Sequence, residues 1–222
     1  MNIKKSQKLN PPIPPLRKGG KGGFGSKLIF ILGGARSGKS AYALKLAEST
    51  PGKRLYLATA EALDDEMAAR IKKHKKERVN TWTTIEEPIR VADVIRKNNP
   101  PSPPFAKGGQ GGLSGKKYNV ILLDCLTLWI SNLMHTANRS SPLAGEGKGG
   151  GRITKEIHSL ISACKNSQAN IVIVSNEVGL GIVPDNPLAR QFRDIAGYAN
   201  QKIAQAADEM YFVAAGIPVK VK

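Results

Sequence analysis

The sequence predicts an α/β fold: a mostly parallel sheet with helices on both faces. Three observations carry that prediction. Short apolar runs alternate with segments of helical periodicity. The runs "KLIFILGG" (27–34), "YNVILLDC" (118–125) and "ANIVIVSNEVG" (169–179) are almost continuously apolar, as strands covered on both faces are. The first of them ends in a glycine-rich turn that opens a helix, which is how a βα unit begins.

Taken in order, "KLIFILGG" is β-branched and aromatic and reads as a buried strand. "GKSAYALKLAEST" (38–50) follows as a helix with its apolar stripe through Ala41, Leu44 and Ala47, stopped by Pro51 and Gly52. "RLYLATA" (54–60) is a second strand. "DDEMAARIKKHKKER" (64–78) opens on Asp64, Asp65 and Glu66, where the helix dipole favours anions, and turns basic toward its end. "TWTTIEEP" supplies a short strand and a helix follows near 88–97. After the strand at 118–125 come helices around 126–137 and near 153–166. "NPLARQFRDIAGYANQKIAQAADE" (186–209) is a long helix, and "MYFVAAGIPVKVK" supplies one or two closing strands.

A formal charge of +17 on 222 residues points first to nucleic acid or an anionic surface. Its distribution argues otherwise. Residues 10–27, "NPPIPPLRKGGKGGFGSK", and 99–117, "NPPSPPFAKGGQGGLSGKK", are two copies of one Pro/Gly/Lys element, and "SPLAGEGKGGGR" (141–152) is a worn third. Residues 1–27, 98–117 and 139–152 carry +7, +3 and +2, so the other 161 residues hold only +5. These segments are too poor in apolar residues to bury a core and lack the aromatic interleaving of a base-stacking surface. The expected organisation is a low-complexity basic extension at 1–27 and one domain over 28–222, with insertions at 98–117 and 139–152. Cys125 and Cys164 are too few for a disulfide framework and lack metal-ligand spacing. No apolar run approaches the ~18 residues of a membrane span. A reducing, cytoplasmic protein without a membrane segment is expected.

"GGARSGKS" matches G-x-x-x-x-G-K-[ST] and lies between a strand and a helix, as the phosphate loop requires. Main-chain N–H groups over Gly33, Gly34, Ala35, Arg36, Ser37 and Gly38 would converge on phosphate oxygens. Lys39 would reach the β- and γ-phosphates, Ser40 would hold Mg²⁺, and the helix N-terminus adds positive potential. "VILLD" sets Asp124 at a strand's C-terminal end, where a second Mg²⁺-coordinating carboxylate belongs, although alone it reads equally as a helix cap. Together these specify a P-loop NTPase, RecA-like in type, that binds a nucleoside triphosphate.

His74 lies among lysines and arginines, yet on a helix it falls on one stripe with Met67 and Ile71. Arg70 and Arg78, four residues to either side, disfavour an imidazolium. A neutral imidazole beside bound nucleotide is a nucleophile. A histidine on a partly apolar stripe is also an ordinary packed side chain, and the pattern leaves both readings open. His135 and His158 read as incidental.

Five stretches settle the choice by resemblance: "GGARSGKS", "ATAEALDDEMAARIKKHKKERVNTWTTIEEP", "LLDCLTLWISNLM", "VSNEVGLGIVP" and "ARQFRDIAGYANQKIAQAADE". In this order they resemble the bifunctional adenosylcobinamide kinase / adenosylcobinamide-phosphate guanylyltransferase family of cobalamin biosynthesis. The resemblance implies phosphorylation of the aminopropanol hydroxyl of adenosylcobinamide with ATP or GTP. It then implies transfer of GMP from GTP, through a guanylylated histidine, to that phosphate. The family's H-x-x-x-R-x-x-x-W spacing falls on His74, Arg78 and Trp82, making His74 the residue that receives GMP. Its nucleotide contacts fall on Gly33 to Ser40, on Thr59, Ala60 and Glu61, on Lys75, Lys76, Glu77 and Arg78, on Glu86, and on Asp124. A homo-oligomer, a homotrimer by resemblance, is implied as well.

"SNEVGLGIVP" leaves a strand at the edge where α/β sheets bind ligands. Asn176 and Glu177 there read either as contacts to nucleotide, corrinoid or a neighbouring subunit, or as residues that cap and turn the chain. Arg190 and Arg193 read as ligands for corrinoid amides or phosphate, or as partners of Asp194. Two other functions remain distinguishable: a plain small-molecule kinase in which His74 is structural, and a nucleic-acid-binding ATPase using the basic tails.

Overall fold

The computed structural model describes residues 26–61, 81–100, 117–140 and 148–222. The helix expected at 64–78, which carries His74, lies outside the described residues. Strand β1 (Leu28–Gly33) is buried at every position, and β4 (Val120–Asp124) and β5 (Asn170–Asn176) are buried but for their ends. These strands have no polar face because both sides of the sheet are covered.

β2 (Arg54–Ala58) and β3 (Trp82–Glu86) complete one half, and β6 (Glu209–Ala214) and β7 (Ile217–Lys220) the other. The seven strands run in the order β3-β2-β4-β5-β1-β6-β7, all parallel except the terminal β6–β7 hairpin. β5 therefore separates β1 from β4, which puts the ends of those two strands roughly 10 Å apart.

Among the described residues, one helix lies on one face of the sheet and four on the other. Ile29, Ile31, Tyr56, Val120, Leu122, Val172 and Val174 point to the side of helix α1 (Lys39–Glu48). Leu28, Phe30, Leu32, Leu55, Leu57, Ile121, Leu123, Ile171 and Ile173 point to the other. That side packs on α2 (Val91–Asn98), α3 (Leu126–Ser140), α4 (Lys148–Lys165) and α5 (Pro187–Ala206). Trp129 of α3 is fully buried there, and its indole N–H donates to the Ile89 carbonyl at 2.8 Å.

Three expectations are adjusted. α1 buries Lys39, Tyr42, Ala43, Leu46 and Ala47, while Ala41 is exposed and Leu44 half-buried. The buried stripe thus runs through 39, 42, 43, 46 and 47, keeping Ala47 of the expected stripe and turning Ala41 outward. α2 starts at Val91, not near 88, because the Glu87 carboxylate accepts from the N–H groups of Ile89 and Arg90 and holds them in a turn. α4 starts at Lys148, inside the glycine-rich run read as the third insertion. α5 matches its expected start, with the Asn186 side chain accepting from Leu188 N and Ala189 N and Pro187 in the first turn. Among the described residues, no helix is long and apolar enough to cross a membrane.

Candidate phosphate loop and carboxylate edge

The loop between β1 and α1 is wrapped around its own backbone. Ser37 N donates to Gly34 O at 3.3 Å, Arg36 takes a left-handed φ of 56°, and Gly38 caps α1 at φ 91°. Gly33 is enclosed: a Cβ there would come within 2.6 Å of the Val213 carbonyl oxygen and 2.7 Å of Ser37 Oγ, so no side chain fits. Lys39 is 8 % exposed, and its ammonium donates to Gly34 O at 3.1 Å, across the curl of the loop. Ser37 Oγ is buried and makes no hydrogen bond among the described residues. An orphaned buried hydroxyl costs about 1–3 kcal/mol, which a bound acceptor would relieve.

The loop is braced from the far end of the chain. Ala215 and Gly216 form the β6–β7 turn with φ of 49° and 84°, and Gly216 N donates to Ser37 O at 2.8 Å. On the other flank, Glu177 N donates to Gly33 O at 3.0 Å.

Asp124 ends β4, in register with Ala58 of β2 and Val174 of β5. The Tyr56 hydroxyl donates to Asp124 Oδ2 at 2.7 Å. Thr59 binds the next residue twice: its hydroxyl donates to Cys125 O at 2.8 Å and accepts from Cys125 N at 2.9 Å. The Thr59 carbonyl accepts from Asn132 Nδ2 at 2.8 Å, and that amide also reaches Pro88 O. Thr59 is thus fully buried, with its hydroxyl engaged by main chain, while Ala60 is half-buried and Glu61 exposed. Glu86, exposed at the end of β3, is in register with Ala58.

Burial, and secondarily the charge of Asp124, pushes the Cys125 thiol up to about 11, with Lys39 pulling the other way. Gly33 to Ser40, Thr59 to Glu61, Glu86 and Asp124 all lie at the C-terminal edge of the parallel strands, the edge that binds ligands in α/β sheets. His74, Lys75, Lys76, Glu77 and Arg78 lie outside the described residues.

The remaining polar residues take local roles. Asn176 Nδ2 donates to Thr127 Oγ1 at 2.8 Å, and the Glu177 carboxylate accepts from Gly179 N at 2.6 Å, the turning role open to both from the sequence. Arg193 pairs with Asp194 at 3.1 Å, and Arg190 donates to the carbonyls of Pro184 and Asp185. His135 is exposed on α3, and His158 lies 3.2 Å from the Tyr198 hydroxyl.

Sequence reasoning missed Tyr56, Asn132 and Cys125. Tyr56 looked like one more apolar residue of a buried strand, and its contact with Asp124 exists only through the pairing of β2 with β4.

A family model described as cobinamide kinase / cobinamide phosphate guanyltransferase matches residues 29–105 and 111–221. The chain is 42 % identical over 197 residues to the bifunctional adenosylcobalamin biosynthesis protein CobU of Salmonella typhimurium, covering 88 % of this chain and 99 % of that one. CobU of Escherichia coli is 40 % identical over 197 residues, covering 88 % of this chain and 99 % of that one. The bifunctional adenosylcobalamin biosynthesis protein CobP of Pseudomonas aeruginosa is 36 % identical over 193 residues, covering 87 % and 96 %.

Proposed function

The chain belongs to the cobinamide kinase / cobinamide phosphate guanylyltransferase family, and from that premise we propose how its residues divide the two reactions. In the first, adenosylcobinamide is phosphorylated with ATP or GTP. In the second, GMP passes from GTP through His74 to the new phosphate, giving adenosyl-GDP-cobinamide. The observation that best supports a nucleotide at this edge is the loop curled around Lys39, with Ser37 Oγ buried and without a partner among the described residues.

In both reactions the triphosphate lies along Gly33 to Ser40, where amide N–H groups, the Lys39 ammonium and the N-terminus of α1 oppose its charge. Thr59 to Glu61, Glu86 and the Lys75 to Arg78 stretch provide the other nucleotide contacts. Ser40 and Asp124 are hard oxygen donors, the kind Mg²⁺ takes alongside phosphate oxygens and water. When bound there, the ion would neutralise charge on the phosphates. Asp124 suits a cation because it is only partly buried and Tyr56 engages a single oxygen of its carboxylate.

For the transfer, an imidazole nitrogen of His74 attacks the α-phosphorus of GTP. The bond from that phosphorus to the bridging oxygen breaks and pyrophosphate leaves. The phosphate of adenosylcobinamide phosphate then attacks the same phosphorus, the P–N bond breaks and the imidazole is regenerated. The proposed assembly is a homo-oligomer, which Leu180 and Ile182, 82 % and 97 % exposed on the loop after β5, support as an apolar surface for a second copy.

Incubation with α-labelled GTP tests the division. Wild type should retain an acid-labile, base-stable label, and His74→Ala should retain none while still phosphorylating adenosylcobinamide with ATP. Labelling of His74→Ala at the wild-type level would transfer the role to another residue.

A further inference from the structure

We propose that Tyr56 is a positioning residue for the metal–nucleotide site: its hydroxyl fixes the Asp124 carboxylate so that the other oxygen is presented to the cation. The inference rests on the reading that Asp124 takes part in holding Mg²⁺.

The geometry begins with register. Ala58 pairs with Asp124 and Tyr56 with Leu122, so Tyr56 and Asp124 point to the same face of the sheet, the face of α1. From its place two residues before Ala58, the Tyr56 ring extends along that face to the strand end, and its hydroxyl donates to Asp124 Oδ2 at 2.7 Å. The terminal torsion of an aspartate is broad and two-fold when nothing holds it. A phenol hydrogen bond to one oxygen removes that freedom, and hydrogen bonds to ionised groups are shorter and stronger than neutral ones.

The ring is itself held. Trp82 meets it edge-on, with centroids 6.1 Å apart and planes at 84°, and the Trp82 indole N–H donates to Glu48 Oε1 at 3.2 Å. Glu48 is the last residue of α1, the helix that begins with Lys39 and Ser40. One helix thus carries the phosphate-loop end of the site at its start and, through Glu48, Trp82 and Tyr56, steadies the carboxylate from its finish. Packing alone does not account for the hydroxyl: Tyr56 is 5 % exposed within an apolar cluster where phenylalanine would fill nearly the same space.

The test uses the full chain with Tyr56→Phe, Asp124→Asn and the double variant. Binding of a fluorescent GTP analogue is measured in EDTA and across a Mg²⁺ titration. Tyr56→Phe should raise the half-saturating Mg²⁺ concentration on the order of three- to tenfold, the worth of one hydrogen bond, and leave binding in EDTA unchanged. Asp124→Asn should raise it at least as far, and adding Tyr56→Phe should change nothing more. If Asp124→Asn shifts the titration and Tyr56→Phe does not, or if the two shifts add, the positioning role is overturned. If Asp124→Asn leaves the titration at the wild-type value, the reading of Asp124 as a metal ligand fails first. Trp82→Leu keeps the phenol but removes its support and should shift the titration the same way, so the test survives a Tyr56 variant that does not fold.

Discussion

The main-chain N–H of Gly216 donates to the carbonyl of Ser37 at 2.8 Å, joining the tip of the C-terminal hairpin to the phosphate loop 179 residues earlier. Gly216 holds a φ of 84°, a region side chains strain to enter. Gly216→Val should therefore twist the turn away and loosen the loop, at about 1–3 kcal/mol of strain. Titration with a fluorescent GTP analogue should show affinity falling at least several-fold while far-ultraviolet circular dichroism stays native. Unchanged affinity would mean that the loop keeps its shape without the hairpin.

Gly33→Ala is expected to be more severe. The added methyl would lie 2.6 Å from the Val213 carbonyl, which is main chain of a paired strand and cannot rotate away. β1 and β6 must separate for it to fit. Nucleotide binding should be lost and the melting temperature should fall by several degrees, read by differential scanning calorimetry with and without GTP.

The buried thiols predict an alkaline weakness. Cys125 is raised from its ordinary 9.0 to about 11, and Cys164 to about 12, in both cases first by burial. Well below pH 9 both thiols keep their protons in folded and unfolded chains alike. Above it the unfolded chain releases protons that the folded chain still holds, so stability falls as pH rises from 9 through about 11 for Cys125 and about 12 for Cys164. Each thiol contributes a loss of roughly 1.4 kcal/mol per pH unit in its window. Urea unfolding at pH 8.5, 9.5 and 10.5 should show a shallower decline for Cys164→Ala than for wild type; parallel declines would refute the effect.

Trp129 should matter twice. Its ring is fully buried, and its N–H holds the Ile89 carbonyl at 2.8 Å in the connection after β3. Trp129→Phe leaves that carbonyl unpaired and opens a void, for an expected loss of about 2–4 kcal/mol in urea unfolding. Hydrogen exchange should quicken over residues 87–91 more than in β4 or β5. A loss spread evenly over the core would assign Trp129 to packing alone.

Much was legible in the sequence because it is encoded locally. Continuous apolar runs fixed which segments are strands covered on both faces, as the full burial of β1 bears out. "GGARSGKS" reads as a phosphate loop because its spacing is a backbone requirement, met within eight residues. The aspartate of "VILLD" could be placed at a strand end by the same local logic. The family resemblance rested on ordered motifs of this kind.

What the sequence left undecided is which residues meet across long separations. The placement of β5 between β1 and β4, the 68-residue step from Tyr56 to Asp124 and the bracing of Ser37 by Gly216 follow from strand order and register. The rotated stripe of α1 also escapes periodicity, since the inward turn of Lys39 is directed at the Gly34 carbonyl. Periodicity records how often a chain turns a face inward. It carries no record of the partner that face will find, because the partner is selected only when the strands pair and the core closes.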